Sequence, residues 1–388
     1  RHHLPDRSEL EKQRKTTFAY NPKISFVVPL YKTPEKYLRR LVESLQEQTY
    51  SNWELCFSDG SGAQSPLTEL LKELTAKDNR IKYVSHEESL QISENTNSAI
   101  EIATGDFIAF ADHDDELTPD ALFRCVKALN EDPELKVLYS DEDKMSMDGH
   151  KFFQPHFKPD FNLDLLRSNN YICHFFVVRR EIAEKTGGLR PEYNGAQDYD
   201  YIFRCTEMAG KIVHIPRVLY HWRVHSASTA DNPASKLYAY EAGKKAIEGN
   251  LARCGEEGTV TLRSDYGFYD VDYKLQGTPL VSILIPNKDQ ADTLRTCLES
   301  IKKKCMYPSY EILIIENNST EEATFSYYKE LEAQGIRVLK YPKQGFNYSA
   351  INNFGVKEAK GEYLLFLNND MEIITPDFME KMVSNLQR

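Results

Sequence analysis

An α/β fold, with an open and mostly parallel sheet flanked by helices, follows from three features of this sequence. Short, β-branched apolar runs alternate with helical patterns of one apolar face. The runs are nearly continuous in apolar residues, which means strands covered on both faces. The whole strand–helix unit then occurs a second time, at an offset of 256 to 258 residues.

Residues 1–23 are polar and charged and read as a lead-in helix or arm. The first strand is ISFVVPLY at 24–31, and its counterpart is VSILIPNK at 281–288. Each contains a proline near its end, Pro29 and Pro286. Leu38, Leu41, Val42 and Leu45 then fall at helical spacing, as do Leu294, Cys297, Leu298 and Ile301, each set forming one face to pack on a sheet. WELCFSDGS (53–61) answers to YEILIIENNS (310–319). AIEIATGDFIAFADHDDELTPD, from residue 99, answers to FGVKEAKGEYLLFLNNDMEIITPD, from residue 354, with Gly105 matching Gly361 and Asp114 matching Asp370. The first copy, 24–265, is expected to be a full domain. Residues 266–279 form a linker with Gly277 and Pro279 as breakers. Residues 280–388 are expected to be a second, truncated copy, because they reach only to the counterpart of about residue 132.

Composition narrows the function. The 388 residues suit two domains, and 41% apolar with 28% charged residues marks a folded chain. A net charge of −11 disfavours nucleic acid as a partner. Seven cysteines without a CxxC pair argue against a zinc ribbon and a disulfide framework. No apolar run reaches the roughly 20 residues of a membrane helix. A cytoplasmic protein is the expectation, with at most peripheral contact at the inner face of the plasma membrane.

Chemistry is concentrated in a few places. FIAFADHDD (107–115) is an apolar strand ending in Asp112, His113, Asp114 and Asp115. Carboxylates crowded beyond a strand's carboxyl end call for a cation, and hard oxygen donors suit Mg²⁺ or Mn²⁺ with diphosphate oxygens. GAQDYDYIFR (195–204) puts Gln197 and Asp198 at a helix start. IPRVLYHWRVHSAST (215–229) holds His221, Arg223 and His225. YSDEDKM (139–145) reads as an acidic loop, either with Asp141 facing a donor sugar or an acceptor, or simply solvated, with a second metal site as a further reading. RSNNYICHFFVVRR (167–180) mixes aromatic and polar residues, and its His174 reads as a core histidine.

The opening VVPLY strand, the Asp59-Gly60-Ser61 turn, NTNSAIEIATGDFIAF and the Asp112-His113-Asp114 "DxD" occur in an order that resembles the family 2 glycosyltransferases. The resemblance implies the GT-A fold and an inverting, metal-dependent transfer of a sugar from a nucleotide-sugar donor, of UDP or dTDP type, to a saccharide, glycolipid or glycoprotein hydroxyl. It implies a nucleotide held by Pro29, Tyr31, Asp59 and Asp112, and a divalent cation, Mn²⁺ or Mg²⁺, held by Asp114 and His221. It makes Asp198 the catalytic base. Asp115, Asp141, Gln197, Arg223 and His225 become candidate donor or acceptor contacts, with Arg223 offsetting diphosphate charge and His225 the alternative to His221. In the second copy Asn368-Asn369-Asp370 retains only Asp370 as an acid. Tandem copies resemble bacterial enzymes of surface polysaccharide or glycoprotein glycan assembly. A nucleotidyltransferase is the competing enzyme reading, disfavoured because VVPLYKTPEKYL lacks a glycine-rich loop. A non-catalytic nucleotide- or carbohydrate-binding module is the third.

Overall fold

The computed structural model describes residues 4–224 and 237–388. The chain divides into two compact units, residues 1–256 with 260–271, and residues 257–259 with 272–388. The polar lead-in contains a helix, Arg7–Lys15, capped by Asp6 accepting from the Glu9 N–H at 2.8 Å.

In the first unit nine of the described strands form one sheet. They are β1 (Ile24–Leu30), β2 (Trp53–Asp59), β3 (Ile81–Ser85), β4 (Phe107–Phe110), β5 (Glu116–Leu117), β6 (Val137–Met145), β7 (Phe152–His156), β8 (Phe176–Arg179) and β9 (Ile212–Arg223). Their order is β3-β2-β1-β4-β8-β6-β9-β5, with β7 added to β6. The pairs β1–β2, β2–β3, β1–β4 and β6–β9 are parallel. β8 enters antiparallel to both β4 and β6. Every residue of β1 and β2 is buried, which explains their unbroken apolar character. Helix Glu35–Gln46 buries Leu38, Leu41, Val42 and Leu45, the face its spacing predicts. Each fully buried leucine contributes roughly 1.5–3 kcal/mol.

Two short strands, β10 (Gly258–Leu262) and β11 (Tyr269–Tyr273), pair with each other. The second unit carries β12 (Val281–Asn287), β13 (Tyr310–Glu316), β14 (Arg337–Lys340) and β15 (Tyr363–Phe366) in the order β14-β13-β12-β15, all parallel. This is the β3-β2-β1-β4 half of the first sheet repeated, with matching registers: Ile24 faces Trp53 and Phe107, and Val281 faces Tyr310 and Tyr363.

The repeat extends to a buried polar corner. In the first unit Glu54 accepts from the Ser25 hydroxyl (2.7 Å) and the Thr104 N–H (2.5 Å), while the Gly105 N–H donates to Ser25 Oγ (2.7 Å). In the second unit Glu311, Lys360, Gly361 and Ser282 make the same bonds. A Cβ on Gly105 would sit 2.6 Å from the Lys23 carbonyl, and one on Gly361 2.6 Å from the Ser282 nitrogen. That close approach is the reason both copies carry glycine there.

One expected loop is a strand. Residues 139–145 lie within β6, and Asp141, Glu142 and Asp143 are buried. Their composition suggests solvent, but each carboxylate has partners inside. Asp141 accepts from the Lys158 N–H (2.8 Å) and bonds His214 Nε2 (2.7 Å), Asp143 bonds His221 Nδ1 (2.5 Å), and Glu142 lies 3.4 Å from Lys158 Nζ.

Candidate active site

The chain runs from β1 to β2 on one side of β1 and later returns to β4 on its other side. Ligands bind beyond the carboxyl ends of strands at such a switch point. β1 and β4 share rungs only as far as Val27–Phe110. Pro29 lies past the last rung, where its missing N–H leaves no ladder bond unmade. A cleft of about 540 Å³ opens at this point, with Val27, Pro29, Phe110, Asp112, His113 and Asp114 on the strand side. Cys173, His174, Gln197, Asp198 and Trp222 complete it from elsewhere in the chain. An adjoining hollow of about 410 Å³ is lined by Tyr31, Ser89, Gln91 and Asn95, and shares Pro29, Ile92 and His113 with the cleft. Both volumes fall in the range of small-molecule sites.

Asp198 occupies the first turn of helix Gln197–Ala209, where the helix dipole favours a carboxylate. Its Oδ2 accepts from Asn170 Nδ2 (2.9 Å) and faces Cys173 Sγ (3.6 Å). Gln197 stands beside it, its Oε1 accepting the Gly195 N–H at 2.8 Å. Asp200 points the other way, fully buried between Arg190 and Arg204.

In the same cleft, Asp112 has about half of its side-chain surface (52%) accessible, and its Oδ2 lies 3.8 Å from His174 Nε2. The desolvating walls hold its carboxyl above the usual range. His174 opposes that shift, and Asp114 and Asp198 add to it. Asp115 is fully buried and pushed well up by burial and by Asp112 and Asp114. It accepts from the Tyr220 hydroxyl (2.6 Å) and the Arg223 N–H (2.7 Å). Among the described residues, donor atoms of Asp112, Asp115 and His174 lie within 4.8 Å of one another. Two carboxylates and an imidazole are a donor set that can hold a divalent cation, Mn²⁺ more readily than the strictly oxygen-seeking Mg²⁺, and the crowding of acids is what a cation relieves.

Several assignments change with the fold. His221 does not reach the cleft. Successive side chains of a strand point to opposite faces, and on β9 Trp222 takes the cleft face. His221 instead bonds the cross-strand Asp143 and packs on Phe152, with ring centroids 4.4 Å apart. His174 is the imidazole that lines the cleft beside Asp112. Its apolar flanks suggest core. The usable signal is the polar Asn170 and Cys173 within the same irregular stretch. Arg223 shares the fate of His221. It is 2% exposed, and its guanidinium bonds Glu116 (2.5 Å), the Asp114 carbonyl (2.7 Å) and the Met147 carbonyl (2.9 Å), so it does not face a diphosphate. Asp141 is buried within β6 and lines no part of the cleft. Asp59 is 1% exposed and accepts from the Ser61 N–H (3.1 Å) and the Ser65 hydroxyl, which fixes the turn after β2 and leaves its carboxylate away from the hollow. Pro29 and Tyr31 do line the hollow, and Asp114 lines the cleft. His225 lies outside the described residues. Asp370 is exposed, in a turn after β15.

The family model for Glycosyl transferase family 2 matches residues 25–187 and 282–388. The chain is 40% identical over 372 residues to "Uncharacterized protein y4gI" of Sinorhizobium fredii, covering 95% of this chain and 41% of that protein. It is 39% identical over 367 residues to "O-antigen biosynthesis protein RfbC" of Myxococcus xanthus, covering 95% of this chain and 28% of that one. It therefore spans less than half the length of either relative. Among solved structures, S. aureus TarS 1-349 in complex with UDP-GlcNAc superposes with a TM-score of 0.49 and 20% identity, over 59% of this chain and 66% of that one. A family match over both repeats, spanning more than half of the chain, leads to one conclusion: the chain belongs to glycosyl transferase family 2.

Proposed function

We propose that the first unit transfers a sugar from a nucleotide-diphosphate sugar, of UDP or dTDP type, to a saccharide hydroxyl with inversion at the anomeric carbon. The observation that carries this is the placement of Asp198 and the Asp112–His174 pair in the lining of one cleft. The hollow beside Tyr31 receives the nucleobase, and Tyr31, half exposed, offers its ring for stacking. Asp112 and His174 would hold the cation, with Asp114 of the same cleft lining as the further donor. Asp115, already engaged with Tyr220 and Arg223, keeps the motif in shape. A divalent cation, when bound, supplies positive charge to the leaving diphosphate.

Asp198 takes the proton from the acceptor hydroxyl as that oxygen attacks the anomeric carbon. Asn170 holds one oxygen of its carboxylate and so orients the other toward the acceptor. No covalent intermediate is required. The 39% identity to a protein named for O-antigen biosynthesis supports surface polysaccharide assembly as the setting. Among the described residues no helix is long and apolar enough to cross a membrane. In the second unit Asp370 is the residue we assign to any remaining cation contact.

The test is nucleotide release from a panel of UDP-, dTDP- and GDP-sugars, with Mn²⁺ and with EDTA. Turnover of one donor should be abolished by EDTA, and Asp198→Asn should lower kcat by about 100- to 10,000-fold while leaving donor KM nearly unchanged. Turnover insensitive to both EDTA and Asp198→Asn would sink the reading.

A further inference from the structure

Lys158 is a buried cation that the mechanism above does not use. Its side chain is 0% accessible. Its ammonium donates to the Ile172 carbonyl (2.9 Å) and to the His174 carbonyl, and it lies 3.4 Å from Glu142 Oε2. An ammonium has three protons to place, and these are three partners. Burying such an ion is costly unless it is paired and bonded. The two carbonyls it grips flank Cys173 in irregular backbone between helix Leu163–Ser168 and β8, where no sheet partner would otherwise satisfy them.

That segment bridges the cleft. Asn170 and Cys173 face Asp198, and His174 faces Asp112. Lys158 is itself tied to the sheet. Its N–H donates to Asp141 on β6 (2.8 Å), and the next carbonyl, of Pro159, accepts from the Tyr139 hydroxyl (2.6 Å).

We propose that Lys158 is a positioning residue, an internal clamp that fixes segment 170–174 so that Cys173 and His174 meet the base and the acidic motif in register. The proposal rests on the glycosyltransfer reading for its kinetic consequence, but its structural part can be read without turnover. The clamp acts on backbone, so its loss leaves the nucleotide hollow intact while loosening the wall that bears His174.

The experiment compares the wild type with Lys158→Met and with the charge-balanced double variant Glu142→Gln/Lys158→Met. The double variant keeps the test alive should the single one fail to fold with Glu142 left only its contact to His156. Kinetics are measured with the donor found active. In parallel, N-ethylmaleimide labelling is followed thiol by thiol on digested peptides. We expect kcat to fall about 10- to 100-fold with donor KM within about twofold. Cys173 labelling should rise about fivefold, while Cys125 and Cys205, buried in the same unit, stay protected. Adding His174→Ala should not multiply the kcat loss, because both changes remove the same placement. Unchanged Cys173 labelling overturns the clamp. A parallel rise at Cys125 and Cys205 overturns it too, since that reports general loosening. Raised Cys173 labelling with unchanged kcat rules out a positioning role. If the wild type turns over no donor, the glycosyltransfer reading fails, and the three thiols still decide whether Lys158 holds the segment.

Discussion

Tyr220 lies flat against His174, with ring centroids 4.8 Å apart and planes within 6°, and its hydroxyl donates to Asp115 at 2.6 Å while accepting the Asp112 N–H at 3.0 Å. One buried side chain thus orders the acidic motif from β4 and the imidazole from segment 170–174. Tyr220→Phe keeps the ring and removes both hydrogen bonds, leaving the buried Asp115 carboxyl one donor short. The variant should lose about 1–3 kcal/mol of stability, measured by urea unfolding. Its kcat should fall while the Tyr31 hollow, and with it donor KM, is little affected.

His174 and His221 should separate cleanly by substitution. His174→Ala opens the cleft wall, so Mn²⁺ binding followed by calorimetry should weaken by about tenfold or more. His221→Ala removes a hydrogen-bond partner from the buried Asp143, which should cost about 1–3 kcal/mol of stability. Its Mn²⁺ affinity per folded molecule should match the wild type. The reverse pattern would return the metal assignment to His221.

Gly105 and Gly361 should respond alike. At each, a methyl group would meet backbone atoms near 2.6 Å, which cannot yield as a flexible side chain would. Gly105→Ala and Gly361→Ala should each cost about 1–3 kcal/mol, read from denaturant midpoints. At Gly187 an added methyl would meet nothing within 4 Å, yet the φ of +80° strains an alanine there by about 1 kcal/mol, so Gly187→Ala reports backbone strain without a clash, and Gly105→Ala and Gly361→Ala report a clash without a positive φ.

Glu54 gives the sheet a pH dependence of known sign. Burial alone would raise its pKa, but Lys23 and Lys82, at 2.5 and 2.7 Å, together with Ser25 and the Thr104 N–H, hold it well below the usual range. The folded form therefore binds the proton more weakly than the unfolded chain, whose glutamates titrate near about 4.3. The stabilisation is fully present above that pH and is lost as pH falls through the folded value. Urea midpoints of the wild type should drop on acidification below about pH 4.3. Glu54→Gln, less stable at neutral pH, should show a shallower drop.

Much of this protein could be read along the chain. The apolar runs, the helix faces at Leu38–Leu45 and Leu294–Ile301, the two-fold repeat and the acidic end of β4 all follow from local composition and period. Those features depend on residues a few positions apart, and a helix or buried strand imposes its period wherever it forms. Asp198 at a helix start and Pro29 at the end of a strand are legible for the same reason. Tertiary structure alone decided which face β9 turns to the cleft. The register between β6 and β9 slips twice, near Asp141, by two residues and then by one, and the second, odd slip exchanges the residues that point inward. That is why Trp222 lines the cleft while His221 and Arg223 do not. The acids of β6 read as solvated because their partners, Lys158, His214 and His221, are distant in sequence and meet them only on folding. His174 became part of the site for the same reason: its role depends on Asp112, Tyr220 and Lys158, and no spacing within the chain reveals that they converge.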